Sequence, residues 1–137
     1  MSNGLQIATS GMMAESVRLD VVANNLANAN TTSTPQGGPY RREMVVLQAL
    51  PAAASGPDAG VGQGVEVAAI VPDPSPFQEV YDPTNPQANA QGYVLYPNVS
   101  LPVEMTDMIV ASRAYQADAT AFTAAKTIDQ QALNVGA

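Results

Sequence analysis

Apolar residues recur at seven-residue spacing at both ends of the chain. Near the N-terminus Leu5, Met12, Leu19 and Leu26 fall seven apart, with Ala8, Val22 and Ala29 at the intermediate positions and Glu15 the single interruption. No proline occurs from residue 2 to about 28, so the pattern predicts one amphipathic helix, about 40 Å long at 1.5 Å per residue. The cluster Asn28, Asn30, Thr31 and Thr32, followed by Pro35, Gly37, Gly38 and Pro39, marks its end. At the other terminus neither proline nor glycine appears between Pro102 and Gly136. Leu101, Met108, Tyr115 and Phe122 are again seven apart, Met105, Ser112, Ala119 and Leu133 occupy neighbouring positions, and Ile109 lies beside them. Two such helices can pair as a coiled coil, although a seam of Met, Ala, Ser and single aromatics is weaker than a Leu/Ile zipper.

The intervening segment changes period. Residues 44–47 and 65–71 are rich in valine and other apolar residues, residues 92–96 are shorter and Tyr-rich, and all three read as strands. Pro72, Pro74, Pro76, Pro83 and Pro86 punctuate the connections, and residues 50–60 read as a flexible loop tip. The expected fold class is α+β, with long terminal helices paired as a coiled coil around a small β-rich middle. The expected division is a helix over 1–30, a linker over 31–40, a β-rich middle over 41–100 and a second helix over 101–137.

Composition narrows the chemistry. Charged residues make up 12% of the chain, against roughly 25% in an ordinary domain. Residues 1–30 carry only Glu15, Arg18 and Asp20, so these helices lack the charged face of a solvated helix. A charge-poor surface is poorly defended against association. The net charge is −7 with five basic side chains, which argues against a nucleic-acid partner and an anionic membrane surface. No apolar run reaches the roughly 18 residues of a membrane span. The first 17 residues contain no Lys or Arg, so no cleaved secretory signal is expected. With no cysteine and no histidine, thiol nucleophiles, Ser-His-Asp triads and Cys/His metal sites are removed. No catalytic residue, cofactor, metal or small-molecule substrate is expected.

The remaining motifs are weak. Gly60, Gly62 and Gly64 precede a strand rather than a helix, so they do not form a phosphate cradle. Asp73, Glu79 and Asp82 form the best acid/base group, but Asp73 and Asp82 each precede a proline and suit turn initiation. More telling are Asn24, Asn25, Asn28 and Asn30 at the end of the first helix. Asparagine is a mediocre helix former, so these amides either cap a fraying end or hydrogen-bond across close-packed helices without the desolvation cost of charge. The residues expected at a subunit interface are Leu5, Met12, Leu19, Val22, Asn24, Asn25, Leu26, Asn28, Met105, Met108, Ile109, Tyr115 and Phe122.

Residues 20–32, DVVANNLANANTT, resemble the N-terminal signature of the flagellar rod and hook axial proteins. Gly37-Gly38-Pro39-Tyr40-Arg41-Arg42, Tyr81-Asp82-Pro83, Gly92-Tyr93-Val94 with Pro97-Asn98-Val99, and Glu104-Met105-Thr106-Asp107-Met108 leading to Ala111-Ser112-Arg113-Ala114-Tyr115 narrow this to the proximal-rod FlgC type. The chain departs from that pattern at Asn85, where a histidine is expected, and at Ser100-Leu101-Pro102. The resemblance implies a structural subunit of the flagellar basal body, exported uncleaved by the flagellar type III apparatus into the periplasm. There it would polymerise with copies of itself and with other rod proteins, next to the basal-body ring/rod junction, as part of the torque-carrying drive shaft. Another axial subunit, or a soluble coiled-coil adaptor, are the alternatives.

Overall fold

A computed structural model of the chain describes residues 2–136. Helix α1 spans Asn3–Ala27 and α2 spans Leu101–Val135. Between them lie β1 (Glu43–Ala49), β2 (Val65–Pro72), β3 (Gln78–Tyr81) and β4 (Tyr93–Tyr96). The fold is α+β. The Ser2 hydroxyl accepts the Leu5 N–H at 3.4 Å to cap α1, satisfying one of the amides a helix start leaves free. The second helix begins with Pro102 in its first turn, where a missing N–H costs nothing.

The middle forms two separate antiparallel hairpins rather than one sheet. In the first, β1 pairs with β2 from Glu43↔Pro72 to Ala49↔Val65, with a bulge between Val46 and Leu47. In the second, Gln78↔Tyr96 to Tyr81↔Tyr93 are paired, and the two tyrosine rings meet edge to face at 5.3 Å. The strand β3 falls where proline-rich turns were expected. It is only four residues long, too few for an alternation to show, and it exists because β4 offers a partner.

The two helices lie antiparallel in a constant register. Gly4 faces Ala125, Gly11 faces Asp118 and Asn25 faces Glu104, so the numbers of each facing pair add to 129. At Gly11 a methyl group would overlap the Asp118 carboxylate; the missing side chain lets the backbones approach. On another side of α1 sits the first hairpin. The Ser10 hydroxyl accepts the Val65 N–H at 3.1 Å while donating to the Ile7 carbonyl at 2.7 Å. Beside it Gly64, at φ 101°, lies too close to Ser10 for any other residue. The core is accordingly small and centred on α1: Leu5, Ala8, Ala14, Val21 and Val22, with Val94, Val99 and Ala111 added from elsewhere.

Candidate subunit interface

The inner face of the helix pair is polar at one end. Asn25 is buried, and its side chain takes the place of a strand alongside the first residue of β1. Its amide oxygen accepts the Glu43 N–H at 3.0 Å and the Tyr40 hydroxyl at 2.7 Å. Its amide nitrogen donates to the Glu43 carbonyl at 2.9 Å and to Glu104 at 3.1 Å. All four hydrogen-bonding positions of the amide are used, so this side chain has nothing left to offer a neighbouring subunit.

Glu104, in the first turn of α2, is 0% exposed. A carboxylate so placed requires compensation, and Arg42 supplies it through its Nε. The same guanidinium reaches Asp73 at 3.0 Å and Asp107 at 3.2 Å. One arginine thus ties the residue before β1 to the end of β2 and to the first two turns of α2. Burial alone would lower the Arg42 pKa, but its hydrogen bonds to Glu104 and Asp73 outweigh this and hold it raised. Asp73 is held below the ordinary carboxylate value, first by hydrogen bonds from Ser75 and then by Arg42. Tyr40 is pushed up by burial and by the Glu43 charge, against the hydrogen bond from Asn24. Asn98 closes the cluster: its oxygen accepts the Arg42 N–H at 2.7 Å and its nitrogen donates to the Asp73 and Ser75 carbonyls. Arg41 lies 4.1 Å over the Phe77 ring and donates to those same two carbonyls.

The apolar heptad residues stand alongside these close contacts between the helices. The facing rows are Gly4, Gly11 and Asn25 against Ala125, Asp118 and Glu104. Leu5 and Val22 are buried, whereas Met12, Leu19, Leu26, Met108 and Phe122 are half-buried and Tyr115 is 37% exposed. Met12, Met13, Thr9 and Ser16 from α1, with Tyr115 and Phe122 from α2, line an open apolar groove of about 510 Å³. Met105 and Ile109 are exposed and face away from α1. Asn24 is exposed and donates to the Tyr40 hydroxyl at 3.1 Å, and Asn28 donates back to Asn24 as it caps the helix. Of the amides, Asn25 is spent inside the chain and Asn28 on the helix end.

Sequence reasoning did not find the arginine clamp. Arg42 and Glu104 lie 62 residues apart, and no local spacing joins them; the available signal was the scarcity of basic residues, which makes each one informative. Asp73 belongs to this clamp, while Glu79 and Asp82 lie on or beside β3, so the three carboxylates form no common site. Among the described residues no group of three His, Cys, Asp or Glu is placed to hold a metal ion. No described helix is long and apolar enough to cross a membrane.

Two family descriptions match the two ends of the chain. "Flagella basal body rod protein" covers residues 5–33, and "Flagellar basal body rod FlgEFG protein C-terminal" covers residues 90–135. Among curated relatives, the flagellar basal-body rod protein FlgC of Borreliella burgdorferi is 40% identical over 97% of this chain and 95% of its own length. The FlgC proteins of Bacillus subtilis and Yersinia enterocolitica are 42% and 43% identical, each over 98% of this chain and 97% and 96% of their own.

Proposed function

We propose, from the premise that this chain belongs to the FlgC family of flagellar basal-body rod proteins, that it polymerises through its two terminal helices. It is a structural subunit of the basal-body rod and not an enzyme. Its finer place is the proximal rod, where copies of it and other rod proteins build part of the drive shaft. It reaches the periplasm through the flagellar export apparatus, without loss of a signal peptide.

The observation that carries this reading is the uncovered length of α2. Over 35 residues only Glu104 and Ala111 are fully buried, although helices of this kind take most of their stability from packed neighbours. In the assembled rod the helix pair supercoils as a coiled coil, and Met12, Leu19, Leu26, Met105, Met108, Ile109, Tyr115 and Phe122 meet neighbouring subunits. Leu5, Val22 and Asn25 act beneath them by setting the register of the pair.

Alanine at Tyr115 or Phe122 tests this. Both side chains are partly exposed, so each change costs the isolated subunit less than the roughly 3–5 kcal/mol of a buried aromatic. As interface anchors they are worth about 2 kcal/mol or more at every copy. The expected result is secreted, soluble, folded subunit with no completed rod and no motility, while Glu79→Ala swims normally. Motile Tyr115→Ala and Phe122→Ala cells would show that polymerisation does not run through this face.

A further inference from the structure

The second hairpin stands apart from the rest of the chain. Neither β3 nor β4 lies against a helix or against β1 or β2. Among the described residues no hydrogen bond runs from residues 78–96 to a helix or to the first hairpin. The one that leaves the hairpin, from the Gln78 amide to the Val99 carbonyl at 3.4 Å, stays at its base. Across from it the turn before β1 leaves an open cleft of about 400 Å³, with Thr32 and Ser33 on one wall and Glu79 and Tyr93 on the other. A hairpin of two short strands has little stability of its own, so its direction depends on how its two ends are held. Those ends are residues 73–77, arriving from β2, and residues 97–100, leading to α2.

Asn98 closes this base. Its amide nitrogen donates to the Asp73 and Ser75 carbonyls at 3.1 and 3.0 Å, which ties the departing end to the arriving one. Its amide oxygen accepts the Arg42 N–H at 2.7 Å, which fastens both ends to the residue before β1. Arg41 donates to the same two carbonyls, but it holds only the arriving end. Pro74 and Pro76 fix φ there, Pro97 and Val99 are buried on either side of Asn98, and neither end contains a glycine. With Asn98 in place the base has no free swivel. Two of the stretches that resemble rod proteins, residues 37–42 and 97–99, meet at the bond between Arg42 and Asn98. We propose that Asn98 is a positioning residue: it locks the second hairpin at one angle to the first hairpin and the helix pair, so that this outlying element moves with them as one body. In a rod subunit the hairpin would then turn with the helices instead of trailing them, but the lock itself rests on the geometry inside one chain.

The chain has no cysteine, so spin labels can be attached in pairs at chosen positions of the full chain. Ala69→Cys on β2 with Gln91→Cys in the loop between β3 and β4 reports the angle of the second hairpin. Ala69→Cys with Ala23→Cys on α1 reports the rest of the fold, and all three positions are exposed. Without a change at Asn98, each pair should give one narrow distance peak in double electron–electron resonance. Asn98→Ala should broaden the peak of the first pair roughly twofold or more, as an element released into several orientations does, and leave that of the second pair unchanged. Asn98→Asp keeps the acceptor for the Arg42 N–H and loses both donors; it should broaden the first pair likewise, and it serves alone if Asn98→Ala does not fold. A first-pair peak already broad with Asn98 intact, or still narrow after its replacement, would overturn the lock. Equal broadening of both pairs would overturn it too, since Asn98 would then stabilise the fold generally. These distances are read on the isolated chain, so the rod reading stands or falls separately.

Discussion

The two terminal helices share a seven-residue apolar spacing and have opposite situations. The shorter, α1, has eight buried residues in 25, because it lies between α2 and the first hairpin. The longer, α2, has two in 35, one of them a carboxylate. The difference separates scaffold from working surface. The first helix is fixed by its own chain through Ser10, Asn25 and the small residues facing α2. The second is held firmly at its first turns by Arg42 and thereafter by one narrow row, and it leaves two apolar faces open. On the assembly proposed above, a helix exposed in this way takes part of its stability from neighbours.

If the clamp is what secures α2, removing its cation should produce the largest effect on the isolated subunit. Arg42→Ala strands a fully buried carboxylate at Glu104 and frees Asp73 and Asp107 as well. Breaking a buried pair from one side costs about 3–5 kcal/mol, read as a lowered urea midpoint of the purified chain. Arg42→Lys should recover only part of this, since an ammonium cannot reproduce a fork that serves three carboxylates. A loss below about 1 kcal/mol for Arg42→Ala would mean that α2 is secured along its length, and the contrast between the helices would dissolve.

The contrast was partly visible in the sequence, and the places where it was not have physical reasons. The heptads of Leu5, Met12, Leu19 and Leu26 and of Leu101, Met108, Tyr115 and Phe122 correctly mark two long helices. Of the first seam Leu5, Ala8 and Val22 are buried, and the other members are half-buried. Close approach to α2 is also seen beside them, at Gly4, Gly11 and Asn25, and at Gly11 the missing side chain is what allows it. Glu15, read as an interruption, is buried in α1 and pairs with Arg18 at 2.9 Å. The hairpin β1–β2 was legible from its β-branched runs. Strand β3 was not, because its four residues gain their conformation from β4. The clamp was invisible for the same reason: its members are local in space and distant in sequence.

A middle-sized test addresses how tightly the helices approach at mid-length. Gly11→Ala replaces the poorest ordinary helix former with the best, a gain of up to about 1 kcal/mol on its own. Here the new methyl meets the Asp118 carboxylate, and the overpacking should turn that gain into a net loss of about 1–2 kcal/mol. In an Asp118→Ala background the sign should reverse to a gain of about 0.5–1 kcal/mol. The coupling in this double-mutant cycle then exceeds the few tenths expected of independent sites. Additive effects would show that α2 does not sit on Gly11 and that the pair is looser there than the register implies.

The smallest effect concerns the outer member of the clamp, and its value lies in its pH signature. Asp73 touches α2 only through Arg42, and its pKa is held below the ordinary value of 3.8. A carboxyl group with a folded pKa below its unfolded one binds fewer protons in the folded state. Its stabilising contribution is therefore present above the unfolded value and is lost as pH falls through 3.8 toward the folded value. Asp73→Asn keeps the shape, and its amide oxygen can still accept from Ser75, but it removes the charge. At neutral pH the cost should stay below about 1 kcal/mol, the usual scale for a partly screened pair. The stability lost between about pH 5 and pH 3 should be smaller in the variant than in the native chain, so the two urea-midpoint curves converge in acid. Parallel curves would show that the Asp73 charge gains nothing in the folded chain, from Ser75 or from Arg42. The hold on α2 would then narrow to Arg42 with Glu104 and Asp107, and α2 would depend on its neighbours from its second turn onward.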